Sequence, residues 1–137
     1  MRHWLLKSEP SAYSWEQLLK DGRTEWSGVR NHQAAANLKA MKRGDHAFFY
    51  HSGEGKEIVG IAEIAKEAYP DPSDKEGRFV MVDVKPVEPV KTPVTLAAIK
   101  AEKQLADFAL VRQSRLSVVP VSAEEWRLVC KMAGVKP

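Results

Sequence analysis

The feature that most constrains the fold is a change of hydrophobic period just after Gly44. Residues 32–42 read as a helix with alanines inside it, whereas residues 45–52 are aromatic and strand-like. Residues 53–56 contain two glycines, and residues 58–65 then alternate between apolar and polar types. Two such runs joined by a glycine-containing turn predict a β-hairpin. The chain must therefore pack helices against a sheet that contains antiparallel strands.

The remaining segments predict further short strands and helices around this hairpin. Strands are predicted over residues 3–7, 79–84 and 116–119. Capping boxes at residues 14–17 and 122–125 open short helices, and Asn31 caps the helix over residues 32–42. Helical turns are expected at 96–100 and 105–110, and loops around Trp26 and over residues 69–74. About five strands, mostly joined by hairpins and flanked by short helices, predict a small mixed α+β barrel.

The size and composition of the chain predict one globular domain spanning residues 1–137. Apolar residues make up 44% and charged residues 28%, which is ordinary for a soluble protein. No apolar run approaches the roughly 18 residues of a membrane span, and the charged start is not typical of a signal peptide. Cys130 is the only cysteine, which excludes an internal disulfide and predicts a buried apolar role. We therefore expect a cytoplasmic protein and no membrane partner.

The charge is distributed unevenly along the chain. The net formal charge is +3, but residues 57–89 are acidic and both flanking thirds are basic. A surface built from both ends of the chain is therefore predicted to attract an anionic partner. A soluble surface of mixed charge is the simpler alternative, and the absence of a polybasic tail argues against tight non-specific binding to nucleic acid.

The segment Trp26-Ser27-Gly28-Val29-Arg30-Asn31 combines residue types that suit recognition of a flat, polar ring. An aromatic ring or a planar cation can stack on a base, and an Asn amide can pair with the donor–acceptor edge of a base. The structural alternative is a Trp in the core, an Asn that caps the next helix and an Arg in water. Residue types alone leave both interpretations open.

Polar residues also gather at the ends of predicted strands, where the mouth of a barrel would bring them together. Besides the Trp26 segment, they are Lys7-Ser8-Glu9-Pro10, Tyr50-His51-Ser52 and Ser114-Arg115-Leu116-Ser117. Each has a structural alternative, because polar residues beside turns are usually solvated.

An enzyme is the less favoured interpretation of these residues. Glu9 is a candidate general acid or base, and His51 beside Ser52 suggests a nucleophile pair, but neighbouring strand residues point to opposite faces. No Gly-x-Ser-x-Gly elbow, phosphate-binding loop or zinc deaminase signature is present. The four histidines lack metal-ligand spacing, so the sequence predicts neither a metal nor a cofactor.

The order of these motifs along the chain closely resembles the EVE domain family. The resemblance rests on Trp4 to Pro10, Tyr13-Ser14-Trp15, Trp26 to Asn31, Phe49 to Ser52, Ile58 to Glu63, Ala68 to Asp71, Met81 to Val84 and Ser114 to Val118. It implies a PUA-like β-barrel of five to six strands with flanking short helices, related to the YTH readers of methylated adenine. It also implies a non-catalytic module that accommodates a flipped, modified base of DNA or RNA, either a modified cytosine or a methylated adenine.

The resemblance further implies which residues lie at or near the base pocket. They are Lys7, Ser8, Trp26, Arg30, Asn31, Tyr50, His51, Ser52, Arg115, Leu116 and Ser117. Trp26 is expected to be the stacking platform, and Asn31 and the serines are expected to bind the base edge. Lys7, Arg30 and Arg115 are expected to follow the phosphates. His32 stands where the family pattern suggests Tyr, Ala35 stands where a basic residue is common, and the loop between Tyr69 and Phe79 is shorter than usual.

A small-molecule-binding module with the same pocket remains an alternative. The modest net charge and Ala35 favour it. Nucleic-acid binding weakens steeply as salt concentration rises, whereas binding of a neutral ligand barely responds, so salt dependence distinguishes the two.

Overall fold

The computed structural model describes residues 1–137 and contains six β-strands and five α-helices. The strands are β1 (His3–Ser8), β2 (Thr24–Trp26), β3 (His46–His51), β4 (Glu57–Pro70), β5 (Val80–Thr95) and β6 (Val118–Val121). The helices are α1 (Trp15–Asp21), α2 (His32–Ala40), α3 (Leu96–Ala101), α4 (Ala109–Arg112) and α5 (Ala123–Ala133), with a 3₁₀ turn at Lys103–Leu105. The predicted α+β class is confirmed.

The six strands form one mixed sheet in the order β2-β5-β4-β3-β1-β6. Strands β1 and β3 run parallel, and every other neighbouring pair is antiparallel. The sheet ends at β2 on one side and at β6 on the other, and no pairing joins these two strands. The expected number of strands is thus present, but the closure of a barrel is not confirmed.

The predicted hairpin is present as β3 and β4, and β4 pairs in turn with β5. Strand β5 runs on to Thr95, well beyond the predicted end at residue 84, although it contains Pro86, Pro89 and Pro93. Its second neighbour, β2, covers only Val82–Val84. The prolines therefore lie where one side of β5 has no partner strand, so their missing N–H groups cost no ladder hydrogen bond.

Helix starts follow the predicted capping residues. The side chains of Ser14, Asn31 and Ser122 accept hydrogen bonds from the backbone of the first turns of α1, α2 and α5. The capping box of α5 is complete, whereas at α1 the Gln17 side chain bonds to Asp21 instead of returning to the cap. Helix α5 begins directly after Ser122, as the predicted capping box implies.

A single buried cluster of apolar side chains fills the space between the sheet and the helices. Trp126 of α5 stacks on Phe48 of β3, with ring centroids 3.9 Å apart. Cys130 is also buried on α5, as predicted. At the start of the chain, Trp4 Nε1 donates to the buried carboxylate of Asp45 at 3.0 Å. None of the helices combines the length and the hydropathy required to span a membrane.

Candidate functional site

A cavity of about 670 Å³ opens at the end of β1 and beside β2. Ligand pockets in proteins commonly measure about 300–1,000 Å³, so this cavity can hold a nucleotide-sized molecule. Fourteen residues line it: Lys7, Ser8, Glu9, Ala12, Tyr13, Thr24, Glu25, Trp26, Ser27, Gly28, Val29, Arg30, Asn31 and Ser117. The whole segment from Trp26 to Asn31 forms one wall.

The buried carboxylate of Asp71 fixes this wall. It is 2% exposed and accepts hydrogen bonds from Gly28 N at 2.8 Å and Arg30 Nη1 at 3.2 Å. Its other oxygen accepts from Ser73 N and Ser73 Oγ. Burial disfavours the charged carboxylate, but the bonds from Ser73, Gly28 and Arg30 outweigh it and lower the pKa of Asp71 to about 2. Asp71 is therefore ionised and holds the loop in one shape.

Arg30 belongs to the same network, which changes its expected role. Its Nη1 pairs with Asp71, its Nη2 donates to Ser73 Oγ at 2.9 Å, and its guanidinium lies 5.5 Å from the centroid of the Phe79 ring. The sequence predicted a cation that follows phosphates. In the structure the charge of Arg30 is balanced by the buried carboxylate of Asp71, and both Nη atoms of its guanidinium already donate hydrogen bonds.

Trp26 lines the cavity from the end of β2 rather than from a loop. It is only 9% exposed, and its ring meets the rings of Tyr13 and Phe49 edge to face. The prediction placed Trp26 in a loop because three residues of strand are too few to show a period. Its burial in the core matches the structural alternative, and its place in the lining matches the functional one. Trp26 is a rigid wall of the cavity and not an open platform.

The two ends of the Asn31 side-chain amide have different roles. Its Oδ1 accepts from Ala34 N at 2.9 Å and so caps α2, while its Nδ2 has no hydrogen-bond partner. The sequence suggested pairing with both a donor and an acceptor of a base. With Oδ1 engaged in the cap, the Nδ2 donors are the part of the Asn31 amide that the fold leaves unused.

Lys7, Ser8 and Ser117 meet at the end of β1 and also line the cavity. Lys7 Nζ donates to Ser114 O at 2.9 Å, and burial lowers the pKa of Lys7. Ser8 Oγ donates to Tyr13 O at 2.6 Å, which leaves the lone pairs of the hydroxyl as acceptors for a ligand. This corner of the cavity therefore presents both donors and acceptors.

Tyr50, His51 and Ser52, which the resemblance places at or near the pocket, are not among the residues that line this cavity. Tyr50 is buried within β3 and belongs to the apolar cluster between the sheet and the helices. His51 Nε2 accepts from Trp15 N at 3.0 Å and thereby serves the first turn of α1. Ser52 N donates to Ser8 O at 2.9 Å. These three residues support the elements around the cavity, and His51 does not pair with Ser52 as a nucleophile and base would.

Arg115 and Leu116 line a second, smaller cavity of about 370 Å³. Its lining consists of Asn31, Gln33, Arg112, Gln113, Ser114, Arg115 and Leu116. Asn31 belongs to both cavities, so the two are neighbours. The structure thus divides the predicted site residues among the first cavity, the second cavity and the interior of β3.

Sequence reasoning missed several residues that shape the site. Asp71 was predicted only as part of an acidic, proline-rich loop, although its role is to hold Gly28 and Arg30 across 43 and 41 residues of chain. Tyr13 and Glu25 line the cavity without having been singled out for it. No local pattern could have found Asp71, because its partners are distant in sequence. No group of three or more His, Cys, Asp or Glu side chains is placed to hold a metal ion.

Comparison with known proteins places these residues in a family. The sequence profile of the EVE domain matches residues 2–132. Human thymocyte nuclear protein 1 is 37% identical over 98% of this chain and 75% of its own length.

Solved structures agree with this match. The protein Rpa0253 from Rhodopseudomonas palustris is 63% identical and superposes with a TM-score of 0.93 over 98% of this chain and 94% of its own. Human thymocyte nuclear protein 1, solved in complex with DNA that contains 5-methylcytosine, is 36% identical with a TM-score of 0.92 over 100% of both chains. The YTH domain of the Zygosaccharomyces rouxii MRB1 protein is 14% identical with a TM-score of 0.60 over 99% of this chain and 88% of its own, and it shares the fold.

Proposed function

The chain belongs to the EVE domain family, and we propose that it is a non-catalytic module that binds modified nucleic acid. In this proposal a flipped, modified base of DNA or RNA, a modified cytosine or a methylated adenine, enters the 670 Å³ cavity. The observation that carries the proposal is the wall from Trp26 to Asn31, which Asp71 fixes in a shape that faces the cavity. The complex of human thymocyte nuclear protein 1 with 5-methylcytosine DNA supports it.

The wall suits a base because its aromatic and polar groups are immobile before a ligand arrives. Trp26 is held by Tyr13 and Phe49, so a base that contacts its exposed edge costs little side-chain entropy. Asn31 Nδ2 is a free donor, and the lone pairs of Ser8 Oγ are free acceptors. Asn31 is exposed and Ser8 is half-buried in the free protein, so a bound base would cover them, and a ring that left them unpaired would be disfavoured.

The cavity also suits a base because its lining has no excess of positive charge. Lys7 and Arg30 line it together with Glu9 and Glu25, and Arg30 is paired with Asp71. A neutral, polar ring fits such a lining better than a polyanion does. A module that binds small molecules would also accept a neutral group in this cavity. The binding experiment must therefore distinguish such a module from a nucleic-acid-binding one.

The experiment compares two tryptophan variants in binding to oligonucleotides that contain a single 5-methylcytosine. Trp26→Phe removes part of the cavity wall, whereas Trp126→Phe removes a similar ring from α5, remote from the cavity lining. The smaller ring of Phe gives up apolar contact with a bound base worth about 1 kcal/mol, so we expect Trp26→Phe to weaken binding by roughly fivefold. Trp126→Phe should lower thermal stability while leaving the dissociation constant unchanged. Fluorescence anisotropy and thermal unfolding measure the two effects.

The remaining outcomes select among the alternatives. Equal effects of the two variants on affinity would remove Trp26 from the site. Equal affinity for oligonucleotides with modified cytosine, methylated adenine and unmodified bases would exclude a reader of modification. Binding of a free nucleoside without salt dependence would favour the small-molecule module. A change in the mass of the oligonucleotide after incubation would show catalysis.

A further inference from the structure

The second cavity differs from the first in the charge of its lining. Two arginines, Arg112 and Arg115, line it together with neutral residues, and no Asp or Glu takes part. The first cavity, by contrast, includes Glu9 and Glu25. An anion is therefore favoured in the second cavity and a neutral group in the first.

Only one of the two arginines is free to bind an anion. Arg112 donates to Ala106 O at 3.1 Å and to Asp107 Oδ1 at 2.8 Å, so its fork is engaged and its charge is paired. Arg115 is exposed, and its guanidinium makes no hydrogen bond or ion pair within the protein. A free guanidinium offers the planar fork of donors that binds phosphate oxygens.

The two cavities are neighbours in the fold. Asn31 lines both of them, and the hydrogen bond from Lys7 Nζ to Ser114 O connects a residue of the first lining to a residue of the second. Ser117 of the first cavity and Leu116 of the second are also adjacent in sequence. A ligand that fills the first cavity with a ring can therefore place its next group in the second.

We propose that the second cavity binds a backbone phosphate that flanks the accommodated nucleotide, with Arg115 as its cation. This inference rests on the proposed function and assigns the base and the phosphate of the nucleotide to different cavities. The base occupies the first cavity, whose lining includes Glu9 and Glu25, and the phosphate occupies the second, whose lining includes no Asp or Glu. It also changes the predicted phosphate path, because Arg30 is paired with Asp71 and Lys7 lines the first cavity, which leaves Arg115 as the unpaired cation of the second cavity.

The test pairs a protein change with a change at one phosphate. Single-stranded oligonucleotides with one 5-methylcytosine carry a neutral methylphosphonate on the 5′ or the 3′ side of that nucleotide. Wild type, Arg115→Gln and Arg115→Lys are titrated over a range of salt concentrations, with Arg127→Gln on the exposed face of α5 as the control. Thermal unfolding checks that each variant folds.

We expect Arg115→Gln to weaken binding roughly tenfold and to lower the salt slope by about one, equally for modified and unmodified bases. Neutralising one flanking phosphate should weaken wild type by a similar factor but leave Arg115→Gln almost unchanged. Arg115→Lys should keep the salt slope, and Arg127→Gln should behave as wild type.

Additive effects of Arg115→Gln and of both methylphosphonates would overturn the assignment of the second cavity while leaving the base pocket intact. A wild-type protein that binds none of the oligonucleotides would instead overturn the proposed function, and this inference with it. The two failures are therefore distinguishable in one set of titrations.

Discussion

Single side chains at this site serve the fold and the cavity at once, and Asn31 is the clearest case. Its Oδ1 caps α2, and its Nδ2 is unpaired at the junction of the two cavities. The capping role follows from the sequence, because Asn before a helical segment is a common N-cap. The free donor follows only from the structure, which shows where the other end of the amide lies.

Asn31→Asp separates the two roles of this residue. Aspartate keeps an acceptor for Ala34 N and favours the start of a helix, so thermal stability should be unchanged or slightly higher. The donor is lost and a negative charge faces the ligand, so affinity for a modified oligonucleotide should fall by about tenfold or more. Anisotropy and thermal unfolding test this.

Asn31→Ala provides the contrast, because it removes the cap and should cost about 1 kcal/mol of stability. Wild-type affinity in Asn31→Asp would show that Nδ2 makes no contact with the ligand.

At the scale of elements, α1 and β4 pack through a contact that only glycine permits. A Cβ added at Gly60 would lie 2.5 Å from Cε2 of Trp15, which is 4% exposed. The ring is further confined by an edge-to-face contact with Phe49. The indole N–H of Trp15 is buried and has no hydrogen-bond partner. The contact between α1 and β4 at this residue therefore depends on apolar packing of the ring and not on a hydrogen bond.

Gly60→Ala should therefore destabilise the protein by about 1–3 kcal/mol, because neither the ring nor the backbone can move away from the new methyl group. Urea unfolding measures the loss. In a Trp15→Phe background the smaller ring should relieve the clash, so the same substitution should cost less. An equal cost in both backgrounds would show that strain in β4, and not the contact with α1, causes the loss.

The elements themselves were predictable to different degrees. Helix starts at Ser14, Asn31 and Ser122 depend on neighbours within three residues and were found. The full length of β5 and the existence of β2 were not found, because both depend on pairing with distant strands. Prolines argue against a central strand but are harmless on an unpaired edge, and only the sheet order shows which edge is unpaired.

On the scale of the whole molecule, three buried carboxylates tie distant parts of the chain together. Asp45 binds Trp4 and the backbone of Arg2, Asp83 binds Arg23, and Asp71 binds the cavity wall. In each case burial opposes ionisation but hydrogen bonds outweigh it, so the pKa of the carboxyl is lowered.

These lowered pKa values predict loss of stability in acid. A carboxyl whose pKa falls on folding stabilises the protein fully above its unfolded pKa, and this contribution disappears as the pH falls through the folded pKa. For Asp71 the fall from 3.8 to about 2 corresponds to about 2 kcal/mol, lost between about pH 4 and pH 2. Urea unfolding at a series of pH values measures it.

Asp71→Asn should be less stable than wild type above pH 4, and the difference should shrink by about 2 kcal/mol as the pH approaches 2. Asp107→Asn is the control, because the Asp107 side chain is 90% exposed and its pairing is screened by water. A difference that stays constant with pH would show that folding leaves the pKa of Asp71 unchanged.

The sequence by itself determined the α+β class, the helix caps, the central hairpin and the segment from Trp26 to Asn31 that lines the cavity. These depend on the period of apolar residues and on bonds between near neighbours, which are local in the chain. The tertiary structure decided that Trp26 is mostly buried in the cavity wall and that Arg30 is paired with Asp71. It also decided that Tyr50, His51 and Ser52 support β3 and α1 and do not line the cavity. Charge pairing and burial join residues far apart in sequence, so only the folded chain shows which polar groups remain free to bind.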